Sequence, residues 1–297
     1  MRTGSIFFFG LFCSAIGYFA FIFIPNQSST SILSQSAAQG WILSGRYFNF
    51  KGHAIFFKDS ATDVFSSLDS LTKNKNPDTR RIADYPILLL VHGFPSFSFD
   101  FENVYSRFSA SQYHVVAVDL LGFGLSDKPH FDYSVSVQAD MLLELVQHIC
   151  RERLGYVYSL AESGAHPSAC SNPRIHVLAH DYGATVAQEL IARKLDHLSL
   201  VDSPSTHYLD IRSVVLLNGG IFPEMHKPTI MQTLLLSPVF GPLLQMLSTV
   251  DTFGKGLAEV FGRNTKPSRE MMEMYWAALL YKDGNLILHN LQQYIHE

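Results

Sequence analysis

The stretch that most constrains this chain is Ile175-His-Val-Leu-Ala-His-Asp181-Tyr-Gly183-Ala-Thr-Val-Ala-Gln-Glu-Leu190. It opens as an apolar, β-branched run, the pattern of a buried strand. After Gly183 the period changes, and Val186, Leu190 and Ile191 fall at helical spacing. A strand that turns sharply into a helix lifts one side chain above the sheet edge, beside the partial positive charge of the helix N-terminus. Here that side chain is Asp181. On the residues alone it is either a raised carboxylate nucleophile or the N-cap of the following helix. No G-x-S-x-G occurs anywhere in the chain, which excludes a serine version of the elbow.

The flanking segments read as further pieces of one sheet. Arg46-Tyr-Phe-Asn-Phe50 and His53-Ala-Ile-Phe-Phe57 are short aromatic strands around Lys51-Gly52, a hairpin. Ile87–Val91 and Val115–Val118 are continuous apolar strands, as expected where both faces of a sheet are covered. The first ends in His92-Gly93-Phe94-Pro95. The second ends in Asp119 and then Leu-Leu-Gly122-Phe-Gly124-Leu-Ser126-Asp127-Lys-Pro129. Tyr133 to Cys150 has helical spacing, and Arg151 to Asn172 reads as a long polar connection. The helix after Gly183 is expected to reach about Lys194, and His197 to Asp210 reads as an insertion. Val214–Leu217 is a further strand, ending at Asn218-Gly219-Gly220. Alternating strands and helices imply a mostly parallel, helix-covered sheet. Beyond Ile221 no strand is convincing. Four prolines break the first part, whereas Met271–Leu280 and Leu286–Ile295 look helical, which fits a cap.

The N-terminus has a different character. Ile6 to Ile24 is an uncharged run of nineteen apolar or small residues, about the length needed to span a bilayer as a helix. A cleavable signal has a shorter core of about 7–15 residues, so a retained membrane anchor over 1–26 is the preferred reading. A Ser-rich linker follows over 27–40, and Ala61 to Arg81 reads as a polar surface insertion. With 22 basic and 26 acidic residues and no basic block, nucleic acid is not an expected partner. The cysteines Cys13, Cys150 and Cys170 show no metal spacing. Cys150 and Cys170 either pair in an oxidising lumen or remain thiols.

Five pieces in this order, HGFP at His92–Pro95, LGFGLSDKP at Leu121–Pro129, HDYGATVAQEL at His180–Leu190, LNGGIFPE at Leu217–Glu224 and DGNL at Asp283–Leu286, resemble the α/β-hydrolase superfamily. Within it they are similar to the branch of epoxide hydrolases and haloalkane dehalogenases, and most similar to the mesoderm-specific transcript family. The resemblance runs from about Trp41 onward. It implies an α/β-hydrolase core over 41–220, a helical cap over 221–297, and a single-pass protein of the endoplasmic reticulum membrane. It makes Asp181 the nucleophile and the backbone N–H groups of Phe94 and Tyr182 an oxyanion pocket. His92, Gly93, Pro95, His180 and Gly183 would shape the loops, Asp119 and Asp127 would brace them, and Tyr275 and Tyr281 would be cap contacts to substrate. No cofactor or metal is implied. The expected partners are membrane lipid and a small apolar substrate, and no protein partner can be named.

A carboxylate nucleophile suits attack on an sp³ carbon, forming an ester that an activated water then hydrolyses. In the fold the chain resembles, the orienting acid and the histidine that activates this water follow two more strands after the cap. This chain reaches Glu297 within what reads as a cap helix, so the core is expected to be incomplete and no catalytic base is assigned. His226, His289 and His296 all lie in the cap-like region. Two readings follow. One is a membrane-anchored hydrolase acting on a small or lipid-like epoxide or ester through Asp181. The other is a non-catalytic membrane protein that uses the same fold to bind. Val214–Leu217 is expected to form an exposed sheet edge.

Overall fold

A computed structural model describes residues 29–61, 85–109, 111, 113–130, 133–160, 173–199, 209–220, 230–237 and 240–293. The expected anchor at 6–24, most of the polar insertion at 61–81 and most of the segment 197–208 lie outside these residues. Among the described residues no helix is long and apolar enough to cross a membrane.

Two short helices, α1 (Ser29–Ser34) and α2 (Gln39–Leu43), occupy the stretch expected to be a linker. They are anchored because Leu33, Ala38 and Trp41 are buried. Strands β1 (Arg46–Phe50) and β2 (His53–Asp59) then form the expected hairpin. Its two turn residues, Lys51 (φ 49°) and Gly52 (φ 89°), are both left-handed, which matches the twist of the paired strands. Strand β3 (Ile87–Val91) leads through a 3₁₀ turn at Ser98–Phe101 into α3 (Glu102–Ser109). Strand β4 (His114–Val118) leads to α4 (Val135–Leu160), β5 (Arg174–His180) to α5 (Tyr182–Ser199), and β6 (Asp210–Leu217) closes the series.

The strand order is β1-β2-β4-β3-β5-β6. β1, β2 and β4 pair antiparallel, whereas β4, β3, β5 and β6 run parallel. β3 and β4 sit in the middle, and every residue of both is buried. One face of the sheet packs on α4 and α5 through Leu89, Val116, Val177, Leu142, Val146 and Val186. The other packs on the N-terminal helices and α3 through Leu88, Leu90, Trp41, Phe99 and Tyr105. β5 departs from the expected two-sided burial. Ile175, Val177 and Ala179 are buried, but His176, Leu178 and His180 are only partly covered. Their neighbours on the edge strand β6 explain this, because Val215 and Leu217 are exposed.

The helical reading needs two corrections before the cap. α4 continues ten residues past Cys150, through part of the stretch read as a polar connection. Arg153 shows why polarity misled: it is buried and donates to the Tyr85 carbonyl at 3.0 Å, so a cation extends the packed face. α5 likewise runs to Ser199 rather than Lys194.

Beyond β6 the chain forms α6 (Ile230–Leu236), α7 (Phe240–Leu247), α8 (Val250–Val260), α9 (Arg269–Leu280) and α10 (Leu288–Leu291). The first two were hidden by the prolines. Pro242 falls in the first turn of α7, where a missing N–H costs nothing. α8 opens on a Thr249/Thr252 capping box. The helix expected over Leu286–Ile295 is broken into a 3₁₀ segment, Tyr281–Ile287, and the short α10. Lys282 and Asp283 are left-handed at the start of that segment.

Trp41 measures whether the N-terminal helices belong to the folded unit. Its indole packs edge-on against Phe99 and Tyr105, and its Nε1–H donates to Ser98 Oγ at 3.1 Å. Trp41→Ala is expected to lower the stability of the chain by about 3–5 kcal/mol, read from the shift in urea midpoint at constant m-value.

Candidate active site

Asp181 stands between β5 and α5 with φ of +52°, a conformation costing a non-glycine residue about 1–3 kcal/mol. Its carboxylate accepts from Phe94 N–H at 2.8 Å and Tyr182 N–H at 2.6 Å, both on Oδ1. Hydrogen bonds to a charged acceptor contribute about 1.5–3 kcal/mol each, enough together to offset that strain. The backbone N–H of Asp181 donates to Leu217 O at 2.9 Å, which ties the elbow to the end of β6.

Two glycines make this approach possible. A Cβ on Gly93 would lie 2.3 Å from Asp181 Cβ and 2.7 Å from Oδ1. A Cβ on Gly183 would lie 2.4 Å from Val91 O and 2.5 Å from His92 O. The first keeps the loop after β3 against the carboxylate, and the second lets α5 start against the end of β3.

His92 is fully buried. Its Nδ1–H donates to Gly93 O at 2.8 Å, and its Nε2 accepts from Leu120 N–H at 3.0 Å. Burial pushes its pKa down to about 4, so the neutral ring that can both donate and accept is the one present at neutral pH. It ties the loop after β3 to the loop after β4. Pro95 follows a cis peptide bond in the same turn. His180 precedes the elbow half-buried, and its Nδ1 is shielded with no hydrogen-bond partner among the described residues.

The loop after β4 is held by its two acids. Asp119 is fully buried and accepts from Ser98 N–H and Leu125 N–H, each at 2.7 Å, although burial still raises its carboxyl above the ordinary range. Gly124 is left-handed there, and a Cβ on it would lie 2.1 Å from Asp119 Oδ2. Ser126 Oγ donates to Asp119 O at 2.7 Å and accepts from Phe56 N–H at 2.9 Å. Asp127 accepts from Ala54 N–H at 2.7 Å and pairs with Lys282 of the cap.

The cap descends on these loops. A small cleft is lined by Phe94, Pro95 and Phe123 from the core and by Leu279, Leu288 and Leu291 from the cap, with Lys128 at its side. Burial pushes the Lys128 ammonium down to about 7. Neither Tyr275 nor Tyr281 lines this cleft. Tyr275 is buried with its ring edge on Phe97, and its hydroxyl donates to Asp100. Tyr281 instead stacks beneath Lys128 and Lys282.

Asp100 and Lys128 were not picked out as site residues from the sequence. Asp100 keeps contact with solvent, yet crowding by the surrounding protein raises its carboxyl above the usual range. The only available signal was its position, five residues beyond Pro95. Lys128 lay in plain view within the Ser-Asp-Lys-Pro motif.

This arrangement places the chain in a class. A parallel sheet carries an acidic strand-turn-helix elbow, backbone donors come from the loop after β3, and a helical cap closes over the strand ends. The family model described as "Alpha/beta hydrolase family" matches residues 88–289, and the chain belongs to that family. It is 35% identical over 263 residues to the mesoderm-specific transcript protein of Mus musculus, covering 88% of this chain. The chain spans 65% of the length of that relative. Among solved structures it is similar to the haloalkane dehalogenase DbeA from Bradyrhizobium elkani, with a TM-score of 0.55, 19% identity, and coverage of 85% of this chain and 69% of that one. It is also similar to the epoxide hydrolase CorEH, with a TM-score of 0.51, 17% identity, and coverage of 84% and 72% respectively. At those identities the structural likeness speaks for the fold alone.

The titration of His92 gives a direct check on the loop contacts. Between pH 6.5 and about 4 the unfolded chain takes up a proton here that the folded chain refuses. Stability is therefore expected to fall across that window by about 3 kcal/mol and to level off below it. Urea titrations at stepped pH should show this loss, and His92→Gln should remove that part of the slope. An unchanged slope would mean that His92 is not the group responsible.

Proposed function

We propose that this chain is a membrane-anchored hydrolase that opens a small or lipid-like epoxide or ester through Asp181. The observation that carries the reading is the double hydrogen bond from Phe94 and Tyr182 to Oδ1, which leaves Oδ2 outside those bonds. Oδ2 attacks the electrophilic carbon, the bond from that carbon to the epoxide oxygen breaks, and the departing oxygen takes up a proton from solvent water. The product is an ester in which Oδ2 is the bridging oxygen and Oδ1 the carbonyl. Water attack on that carbonyl carbon would turn Oδ1 into an oxyanion, which the same two N–H groups are already placed to stabilise. An oxyanion donor of this kind contributes about 2.7–4 kcal/mol to such a step.

Anchoring is part of the same proposal. It rests on the uncharged run 6–24. A disulfide at Cys150 supports placing the domain in an oxidising lumen such as that of the endoplasmic reticulum.

One observation favours the second reading, a binding module. His289, the only one of the three cap histidines among the described residues, donates its Nδ1–H to Leu235 O at 2.6 Å, and its Nε2, the nitrogen left to activate water, faces the Gln293 side-chain amide nitrogen at 3.4 Å. The two readings differ in covalent chemistry. Incubation with a small reactive epoxide is expected to add the mass of one epoxide to the chain, localised to the peptide containing Asp181. Asp181→Ala should abolish the adduct. Reversible binding of the epoxide with no adduct in either form would favour the binding module.

A further inference from the structure

The cap contains a surface that the chemistry at Asp181 does not use. From Thr229 to Val250 the chain runs twenty-two residues without a charged side chain. The described part of this run folds as α6 and α7. On α7 the residues Phe240, Leu243 and Leu247 recur at i, i+3 and i+7 and therefore share one face. They are 53%, 44% and 47% exposed, respectively. A contiguous apolar face of this kind is seldom left open to water in a soluble domain.

The α6–α7 pair is held in place from its inner side. His289 Nδ1–H donates to Leu235 O at 2.6 Å. A Cβ on Gly241 would come within 2.3 Å of Leu235 O and 2.5 Å of His289 Nδ1, so α6, α7 and α10 meet there without room to spare. α7 also packs on the 281–287 segment, so its outer face is presented outward by a fixed base.

We propose that the outer face of α7 docks into the surface of a neutral phospholipid bilayer, the membrane to which the run 6–24 tethers the chain. The inference rests on the anchoring part of the proposed function. Two features select lipid over another occupant. The face carries no charge to pair with a polar protein surface or an anionic headgroup, which fits the acyl boundary of an uncharged bilayer. The tether also arrives on the cap side. Five residue steps separate Ile24 from Ser29, which limits the reach to roughly 18 Å. The helix beginning at Ser29, α1, packs on α9, which runs directly into the 281–287 segment beneath α7. A spanning segment that ends at Ile24 therefore holds this side of the cap close to the bilayer. Docked in this way, the cap would let an apolar substrate pass from lipid toward the cleft beside Phe94 without crossing open water.

The test uses the full chain in vesicles of phosphatidylcholine brominated on its acyl chains, with one added tryptophan at a time. Trp41 and Trp276 are both buried, so the unaltered chain supplies their background. Leu247→Trp puts the reporter on the outer face of α7. Leu195→Trp, at a residue 59% exposed on α5, which packs on the sheet face opposite α1, is the control. The expected result is that all chains float with the vesicles and that Leu247→Trp is quenched several-fold relative to unbrominated vesicles, with Leu195→Trp unchanged. Floating chains with no quenching at Leu247→Trp would overturn the docking while leaving the anchor intact. Unquenched but blue-shifted emission there would also overturn it, because the face would then be covered by protein and not by lipid. Chains that remain in the aqueous fraction would overturn both the docking and the anchor.

Discussion

The structure depends on the strained turn at Asp181. A non-glycine residue in the left-handed region is costly, and the site keeps it by enclosing it with groups that have no other arrangement available. Phe94 and Tyr182 donate to one carboxylate oxygen, and the N–H of Asp181 itself is taken by Leu217 O. The start of α5 adds its partial positive charge beneath the same carboxylate, an effect of about 0.3–1 kcal/mol at exposed sites and more where solvent is excluded. These contacts require the ends of β3, β5 and β6 to be in register, so the local strain is coupled to assembly of the whole parallel sheet.

The neighbouring loops follow from this requirement. Gly93 and Gly183 are small because the carboxylate and the β3 carbonyls occupy the space that a side chain would need. His92 is neutral because its two nitrogens have opposite duties, one donating to Gly93 O and one accepting from Leu120 N–H. Asp119 holds two loop amides and accepts a desolvation cost to do so. The loop motif from Gly122 to Asp127 is thus a set of braces that fixes where the cap can rest. Gly122 shows the contact directly, since a Cβ there would strike Leu291 of the cap at 2.6 Å.

The cap joins the core through polar bonds as well as apolar contact. Tyr275 reaches Asp100 and Lys282 reaches Asp127. Both tie a cap element to a loop that follows a central strand. Tyr275 is therefore committed to holding the cap, and the cleft beside Phe94 is left to apolar side chains and Lys128.

The elements legible from the sequence are those fixed by neighbours along the chain. Continuous apolar runs set β3 and β4, Lys51-Gly52 set the hairpin, and the strand-to-helix change of period set β5 and the elbow at Asp181. In each case a few adjacent residues leave only one allowed backbone. Proline misled the reading of the cap, because its effect depends on whether it falls in the first turn of a helix or deeper, and composition does not say which. Four facts came only from the tertiary structure. Leu33 and Trp41 belong to the core, Arg153 continues a buried helical face, Tyr275 is bonded to a residue 175 positions earlier, and the uncharged α7 keeps one face open. Each depends on which distant segment arrives alongside, and that is settled by packing of the assembled sheet and cap rather than by any local pattern.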